Sequence, residues 1–315
     1  MRCDGRNAYL RNNIFFKLFT ATAILQLAEA GRLDLDAQAR SYVPEFRSVS
    51  ASGHAPTVRQ LLNHSSGLPN PIPIRWIHLA DEPDRPLNEV LRQRVPPDLP
   101  LEREPGESFR YSNLGYLVLG RIIERVTETS YSEYMARHVL APLGASRTGF
   151  RWAGDAATGY QRRWSWMGMA SRLMLDGRYF GATVDGFTEL RPFLVDGVSY
   201  GGLVGPVCDL VRLGQAMLRD GEGSAGRVLL PESARAMLTA SNDSAHRPMP
   251  IGLGWHLGRI QDEEFAYHTG GGGGFRSELR VYPRLGYAVA VIANETSYDT
   301  AQVTRLIVRG EPSSR

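Results

Sequence analysis

The sequence predicts an α/β protein in which an antiparallel sheet is flanked by helices and carries an inserted all-helical lobe. Two observations indicate this class. Apolar residues recur at helical spacing in several segments before Pro250, and after Pro250 the pattern changes to short strands separated by glycine-rich turns. With 315 residues, of which 43% are hydrophobic and 22% charged, the chain can bury a full core. We expect a single domain over 1–315, with an α/β lobe from 1–16 and 250–315 and a mostly helical lobe from 17–249.

The first predicted helix runs from Leu18 to Ala30, because apolar residues repeat along it and Gly31 supplies a left-handed end. Lys17 lies in its first turn and is the one lysine of a sequence that holds 35 arginines. Arginine stays protonated at any working pH, whereas a desolvated lysine can lose its proton and act as a base. The alternative is an ordinary solvated lysine at a helix start, so neighbouring motifs must decide between the two.

Further helices in the central part of the chain are predicted from caps and apolar periodicity. Two stretches lack a clear period. Pro69–Pro105 is dense in proline, which predicts a long surface connection, and 155–200 is rich in aromatic residues that could line a cleft, although core packing is their commoner role. The predicted helices are Val58–Asn63 capped by Thr57, Leu114–Thr127 capped by Ser112 or Asn113, a segment from the Ser130–Glu133 capping box to about Leu140, and Pro206–Leu218.

The C-terminal part predicts four successive strands joined by tight turns, because β-branched and aromatic residues alternate with glycine-rich connections. These strands cover 252–258, 265–269, 275–282 and 287–294, and a helix over Thr300–Val308 follows them.

Several function classes lack support in the sequence. The net charge is only +3 and the arginines are interspersed with 33 acidic residues, so no nucleic-acid partner is expected. The seven histidines occur singly, so we expect no metal and no cofactor. The stretch from Ile14 to Ala30 resembles a secretory signal, but Lys17 interrupts it and the helix continues to Gly31. We therefore expect a cytoplasmic chain without an integral membrane segment.

Three separated segments stand out, and their order and spacing resemble the serine β-lactamase and penicillin-binding-protein superfamily, especially its class C and esterase-like branch. The motifs of that superfamily are S-x-x-K, Y-x-N and K/H-T-G. The corresponding segments are Lys17, Tyr111-Ser112-Asn113 and His268-Thr269-Gly270-Gly271. Shorter segments agree in the same order, namely Leu18–Ala21, Leu33–Asp36, Leu61–Leu68, Pro142–Gly144 and Tyr200–Leu203. The resemblance implies a β-lactamase/transpeptidase-like fold.

The resemblance also implies catalytic roles. Lys17 and Tyr111 would share the proton of a serine hydroxyl as it attacks an ester or amide carbonyl, because an alcohol is a poor nucleophile at neutral pH. Asn113 would orient Lys17 and the substrate. His268 would face a substrate carboxylate or the Tyr111 oxygen. Taken singly, Tyr111 and Asn113 could be a hydrophobic staple and a helix cap, and His268 a structural histidine.

The strand motif is implied to bind substrate. Thr269, Gly270 and Gly271 would let an extended substrate lie against bare backbone, with the Gly271 N–H as an oxyanion donor. The alternative for the run of glycines from Gly270 to Gly274 is a loose hairpin connection. The three motifs together, in family order, favour the functional interpretation.

One position departs from the family pattern. The nucleophile is expected three residues before Lys17, and that position holds Ile14. Isoleucine cannot be acylated, and removing the nucleophile of a catalytic unit costs on the order of 10⁶ in turnover. Complete relatives also carry more residues before this motif, so we expect the C-terminal strands to present an unpaired sheet edge.

Three hypotheses follow from this departure. The first is a hydrolase of the serine β-lactamase and esterase type that lacks its nucleophile as written, with a β-lactam, D-amino-acid amide or simple ester as substrate. The second is a non-catalytic relative that binds a peptide or cell-wall-like ligand in the old cleft. The third is a truncated or frame-disturbed gene product. Complete relatives are often exported or periplasmic, and the sequence leaves the oligomeric state open.

Overall fold

The computed structural model describes residues 16–151 and 157–309. Helices dominate the first half of the described chain and a run of four strands precedes the last helix, with short 3-10 turns at Ala39–Ser41 and Gly177–Tyr179 and a π-helical turn at Met135–Leu140. In chain order the elements are α1 (Phe16–Glu29), α2 (Val58–Leu62), β1 (Ile77–Leu79), α3 (Leu87–Arg94), α4 (Asn113–Thr127), α5 (Tyr131–Tyr134), α6 (Ala141–Leu143), β2 (Gly159–Arg162), α7 (Trp166–Met174), β3 (Phe180–Val184), β4 (Phe187–Leu190), β5 (Phe193–Val195), α8 (Val207–Leu218), α9 (Pro231–Leu238), β6 (His256–Ile260), β7 (Glu263–Gly272), β8 (Phe275–Tyr282), β9 (Tyr287–Ala293) and α10 (Thr300–Arg309).

Helices α1 and α4 form the centre of the helical part. Both are apolar around most of their circumference, and their side chains from Leu18 to Leu27 and from Leu114 to Ile123 are nearly all buried. The caps act as predicted, since the Ser112 hydroxyl accepts the Gly115 N–H at 3.4 Å. The predicted helices at 58–63, 114–127 and 206–218 are thereby confirmed within one residue at each end.

The stretch predicted as a long surface connection is partly ordered instead. It contains β1 and α3, and α3 buries Leu87, Val90 and Leu91 against α4. The aromatic-rich stretch likewise forms strands, with β1 paired antiparallel to β5 and the order β2-β4-β3 in a second small sheet. Strands of three to five residues are too short to show a period, and this is why the sequence pattern missed them.

The C-terminal strands form one antiparallel sheet in the order β6-β7-β8-β9. The first strand begins at His256 rather than at 252, because Gly254 has φ +89° and a backbone in the left-handed region leaves the strand. A side chain at Gly254 would also meet Ala21 Cβ at 3.1 Å. Helices α8 and α10 pack against β8 and β9. In the described part of the chain β9 pairs with β8 alone, and the open edge stays a prediction.

Candidate active site

The side chain of Lys17 lies where α1, α4 and the loop before α8 meet, and it is fully buried. Its Nζ donates to Asn113 Oδ1 at 2.8 Å and to the Tyr200 carbonyl at 3.0 Å. Asn113 is the first residue of α4, so the helix start holds the amide oxygen toward the amine. Two neutral acceptors therefore fix the position of the amine and bring no negative charge to it.

Three tyrosine rings enclose this amine. Nζ lies 4.9 Å from the ring centroid of Tyr111, 5.4 Å from that of Tyr116 and 5.7 Å from that of Tyr200. Ring faces favour the protonated amine, whereas loss of hydration disfavours it. Burial prevails and lowers the pKa of Lys17 to about 7. A large fraction of Lys17 is therefore neutral at physiological pH and able to accept a proton.

The ring of His64 packs against the ring of Tyr111 and supports it. The sequence pattern gave His64 no role. Its ring centroid lies 4.5 Å from that of Tyr111 and 5.1 Å from that of Tyr116. The Ser112 N–H donates to His64 Nδ1 at 3.1 Å, so the neutral ring carries its hydrogen on Nε2. Burial, helped by the nearby Lys17 charge, holds the pKa of His64 well below its usual range. The ring therefore stays neutral and fixes the turn that presents Tyr111.

Tyr111 is half-buried beside the amine, and burial raises the pKa of its phenol. The hydroxyl therefore stays protonated at neutral pH and can act as a donor. Ser112, by contrast, has a structural role. Its hydroxyl donates to the Pro69 carbonyl at 2.8 Å while it caps α4.

The strand motif reaches this cluster through a second histidine. His256 stacks on Tyr111 with ring centroids 6.3 Å apart and an interplanar angle of 19°, and lies 5.4 Å from His268. His268 is buried, and its Nδ1 lies 2.9 Å from the Thr269 carbonyl, to which it donates. Burial, followed by the charges of His256 and Lys17, keeps the pKa of His268 well below its usual range. Burial likewise lowers the pKa of His256 to about 4.

At this motif the backbone of β7 pairs, within the described residues, with β8 alone. Pairing with β6 ends at Tyr267, whereas pairing with β8 continues to Gly272. Thr269 and Gly271 are paired with Glu278 and Arg276. They alternate with His268 along the strand, so their side-chain positions belong to the opposite sheet face. Beyond Tyr267 the described strand therefore keeps its ladder to β8 and has none to β6.

The structure thus brings Lys17, Tyr111 and Asn113 together. His268 lies next to this group, with the ring of His256 in contact with both Tyr111 and His268. Thr269, Gly270 and Gly271 lie farther along the same strand, and their substrate-binding role stays a prediction. Ile14, the expected nucleophile position, lies outside the described residues. Sequence reasoning missed the residues that enclose and support this cluster, namely His64, Tyr116, Tyr200 and His256; His64 and Tyr200 lie in segments that match the family pattern.

Residues 16–151 and 157–309 contain no group of three or more histidine, cysteine, aspartate or glutamate side chains arranged to hold a metal ion. No helix in the same ranges is both long enough and apolar enough to span a bilayer.

Comparison with known proteins assigns the family. The model of the β-lactamase family matches residues 15–310, so the chain belongs to that family. Among solved structures, the octameric penicillin-binding protein homologue from Pyrococcus abyssi aligns with a TM-score of 0.75 and 25% identity over 97% of this chain and 67% of that one. The D-amino acid amidase from Ochrobactrum anthropi SV3 aligns with a TM-score of 0.68 and 25% identity over 91% of this chain and 77% of that one. The expected β-lactamase/transpeptidase-like fold is confirmed.

A curated relative covers less of the chain. Protein flp of Staphylococcus aureus strain MW2 is 38% identical over 136 residues, which is 43% of this chain and 26% of flp. The chain therefore matches about a quarter of the length of that relative.

Proposed function

We propose that this chain keeps the substrate-binding and proton-accepting parts of a serine hydrolase site and, with Ile14 at the nucleophile position, binds acyl substrates without forming an acyl-enzyme. The Lys17 amine carries this proposal. It is fully buried, is held by Asn113 Oδ1 at 2.8 Å, and has a pKa that burial lowers to about 7. An amine in that state is prepared to take a proton from an attacking hydroxyl.

The chemistry requires one group that position 14 does not supply. With a hydroxyl there, its oxygen would bond to the substrate carbonyl carbon while its proton passes to Lys17 Nζ. As the carbonyl reforms, the bond to the leaving group would break, and the leaving group would take a proton from Lys17 or from the Tyr111 phenol. Water would then repeat the sequence on the ester to release the acid. With Ile14 in place, the first bond cannot form.

The charges near the strand motif favour a neutral ester or amide as the substrate. His268 is neutral because burial lowers its pKa, so it offers no cation to a substrate carboxylate. Arg276 lies beside Gly271, because a Cβ built at Gly271 would meet Arg276 Nη1 at 2.6 Å. Recognition of a substrate carboxylate would therefore depend on Arg276. A substrate without a carboxylate does not need this contact, and the amidase among the structural relatives supports amides as one such class.

The test restores the hydroxyl with Ile14→Ser, using Ile14→Ala as a control that shortens the side chain without adding a nucleophile. We expect the Ser variant to hydrolyse nitrophenyl esters and to gain one fluorophosphonate adduct at position 14 in intact-protein mass spectrometry. Neither Ile14→Ala nor Ile14→Ser/Lys17→Met should react. A folded Ile14→Ser variant that stays inert toward esters, D-phenylalanine amide and nitrocefin would refute the proposal, as would a stoichiometric adduct on the unmodified chain.

A second candidate is a purely binding role for an extended peptide. The end of the β6 ladder at Tyr267, five residues before the β8 ladder ends at Gly272, favours it, because a strand edge beyond a ladder can pair with an added strand. Titration of the unmodified chain with a short D-alanine-terminated peptide, followed by backbone amide NMR, should shift the signals of Gly270 and Gly271. Unchanged signals at millimolar peptide would exclude this role for that ligand class.

A further inference from the structure

Helix α7 exposes its apolar face and packs with its polar face. Trp166, Met169, Ala170 and Leu173 stand at positions i, i+3, i+4 and i+7 and therefore form one stripe. Trp166 is 76% exposed and Leu173 is 86% exposed. An ordinary surface helix buries such a stripe against the core. In α7 the orientation is reversed, so the stripe faces solvent.

The inward face of α7 explains this orientation. Gly168 rests on the backbone of Arg162, where a Cβ would meet the Arg162 carbonyl oxygen at 2.1 Å. Ser171 Oγ donates to Gln161 Oε1 at 2.9 Å, and Arg172 donates to Thr188 Oγ1 at 2.9 Å. Hydrogen bonds on the polar side hold the helix on the β2-β4-β3 sheet. These contacts on the polar side therefore fix α7 with its apolar stripe facing solvent.

More apolar side chains extend the same surface. Trp164, just before the helix, is 74% exposed, and Met167 and Met174 are also exposed. An exposed cluster of tryptophan, methionine and leucine of this size marks an interaction surface. We call it the α7 surface and define it as Trp164, Trp166, Met167, Met169, Leu173 and Met174.

Two arginines, Arg163 and Arg172, lie beside the α7 surface. Residues 159–191 contain five arginines against three acidic residues, a difference of two positive charges. The Arg163 guanidinium lies 5.0 Å from the ring centroid of Trp164, so a cation lies directly beside an apolar ring of the α7 surface. Arg172 lies at the edge of the helix. Tryptophan and leucine on one helix face with arginine beside them is the composition of helices that lie in the interface of an anionic bilayer.

We propose that the α7 surface binds the surface of a membrane that contains anionic lipids, with Trp166 and Leu173 inserted at the level of the headgroups and Arg163 paired with lipid phosphates. A lipid surface fits better than a protein partner, because the side-chain hydrogen-bonding groups of the α7 surface are the indole N–H groups of Trp164 and Trp166, which membrane interfaces accommodate. Helix α7 would then lie along the surface of the bilayer and would not cross it.

The test is co-sedimentation of the full chain with vesicles of phosphatidylcholine alone or with about 30% phosphatidylglycerol. We expect binding to the anionic vesicles that weakens as salt is raised. Trp166→Ser/Leu173→Ser should lose at least about tenfold in partitioning, and Arg163→Gln about fivefold. The matched control is Leu285→Ser, which changes a leucine that is 40% exposed in the β8–β9 turn. This variant should bind like the unmodified chain.

Three results would overturn the proposal. One is the absence of binding to anionic vesicles, and another is an equal loss in the Leu285→Ser control. The third is self-association in sedimentation velocity without lipid that Trp166→Ser/Leu173→Ser abolishes, which would assign the surface to a second copy of the chain. None of these readouts depends on catalysis, so they are independent of the proposed hydrolase site.

Discussion

Replacing Lys17 by methionine should remove a pH dependence from the stability of the protein. In the unfolded chain the amine has its ordinary pKa of 10.5, whereas burial lowers the pKa to about 7 in the folded state. Between these values the unfolded chain binds one more proton than the folded chain, so stability rises with pH from about 7 to 10.5, and this gain is lost progressively as pH falls from 10.5 to about 7. The full difference corresponds to about 5 kcal/mol at about 1.36 kcal/mol for each unit of pKa.

The measurable part lies between pH 7 and pH 9, where Lys17 should add about 2 kcal/mol to the free energy of unfolding. Lys17→Met lacks this gain. It also leaves the Asn113 and Tyr200 oxygens without their donor, which costs about 1–3 kcal/mol for each at every pH. The variant should therefore fall progressively further below the wild type as pH rises.

Urea unfolding followed by tryptophan fluorescence at pH 7, 8 and 9 measures this difference. Arg92→Met, at an exposed position of α3, serves as the control and should keep the wild-type pH profile. Parallel profiles for wild type and Lys17→Met over this range would refute the reasoning, because they would mean that Lys17 keeps an ordinary pKa in the folded protein.

Three further substitutions test the surroundings of the site. His64→Phe keeps an aromatic ring but removes the acceptor for the Ser112 N–H, so the free energy of unfolding should fall by about 1–3 kcal/mol; an unchanged urea midpoint would contradict that role. Gly120→Ala puts a methyl group 2.2 Å from Ser199 Cβ and should lower the free energy of unfolding by at least about 1–3 kcal/mol. Gly120→Ala/Ser199→Gly should recover part of this loss. A wild-type Tm in the single variant would speak against the contact. Burial lowers the pKa of His256 from 6.5 to about 4, so the contribution of His256 to the free energy of unfolding is complete above pH 6.5 and is lost as pH falls toward 4. His256→Phe should therefore reduce the acid-induced loss of stability by up to about 3 kcal/mol. Identical acid profiles for the variant and the wild type would disprove the shift.

Local patterns were enough to predict the main helices and the C-terminal sheet. Ser112 before a long apolar run marked the start of α4, and Gly31 marked the end of α1, because capping depends on residues close in sequence. The approach of Lys17 to Asn113 was predicted from the family order of the motifs. Periodicity alone could not have placed residues 96 positions apart beside each other.

The parts that the sequence did not predict depend on long-range contacts. The Tyr200 carbonyl that holds Lys17 comes from 183 positions away, and the family-like segment around Tyr200 does not by itself indicate a contact with Lys17. His64 became recognisable only when its ring was found between Tyr111 and Tyr116. The outward orientation of α7 could not be predicted either, since an apolar stripe ordinarily indicates the buried side of a helix.

The proton affinity of Lys17 in the folded chain is the most direct test of an inherited acyl-transfer site. Because the sequence contains one lysine, protein grown on ¹³C-labelled lysine gives a single Cε–Hε correlation in the NMR spectrum. Titration of that signal should show a midpoint of about 7, as expected for a buried amine. A midpoint near 10.5 would contradict the account, because a lysine that stays protonated at neutral pH cannot accept the proton of a nucleophile.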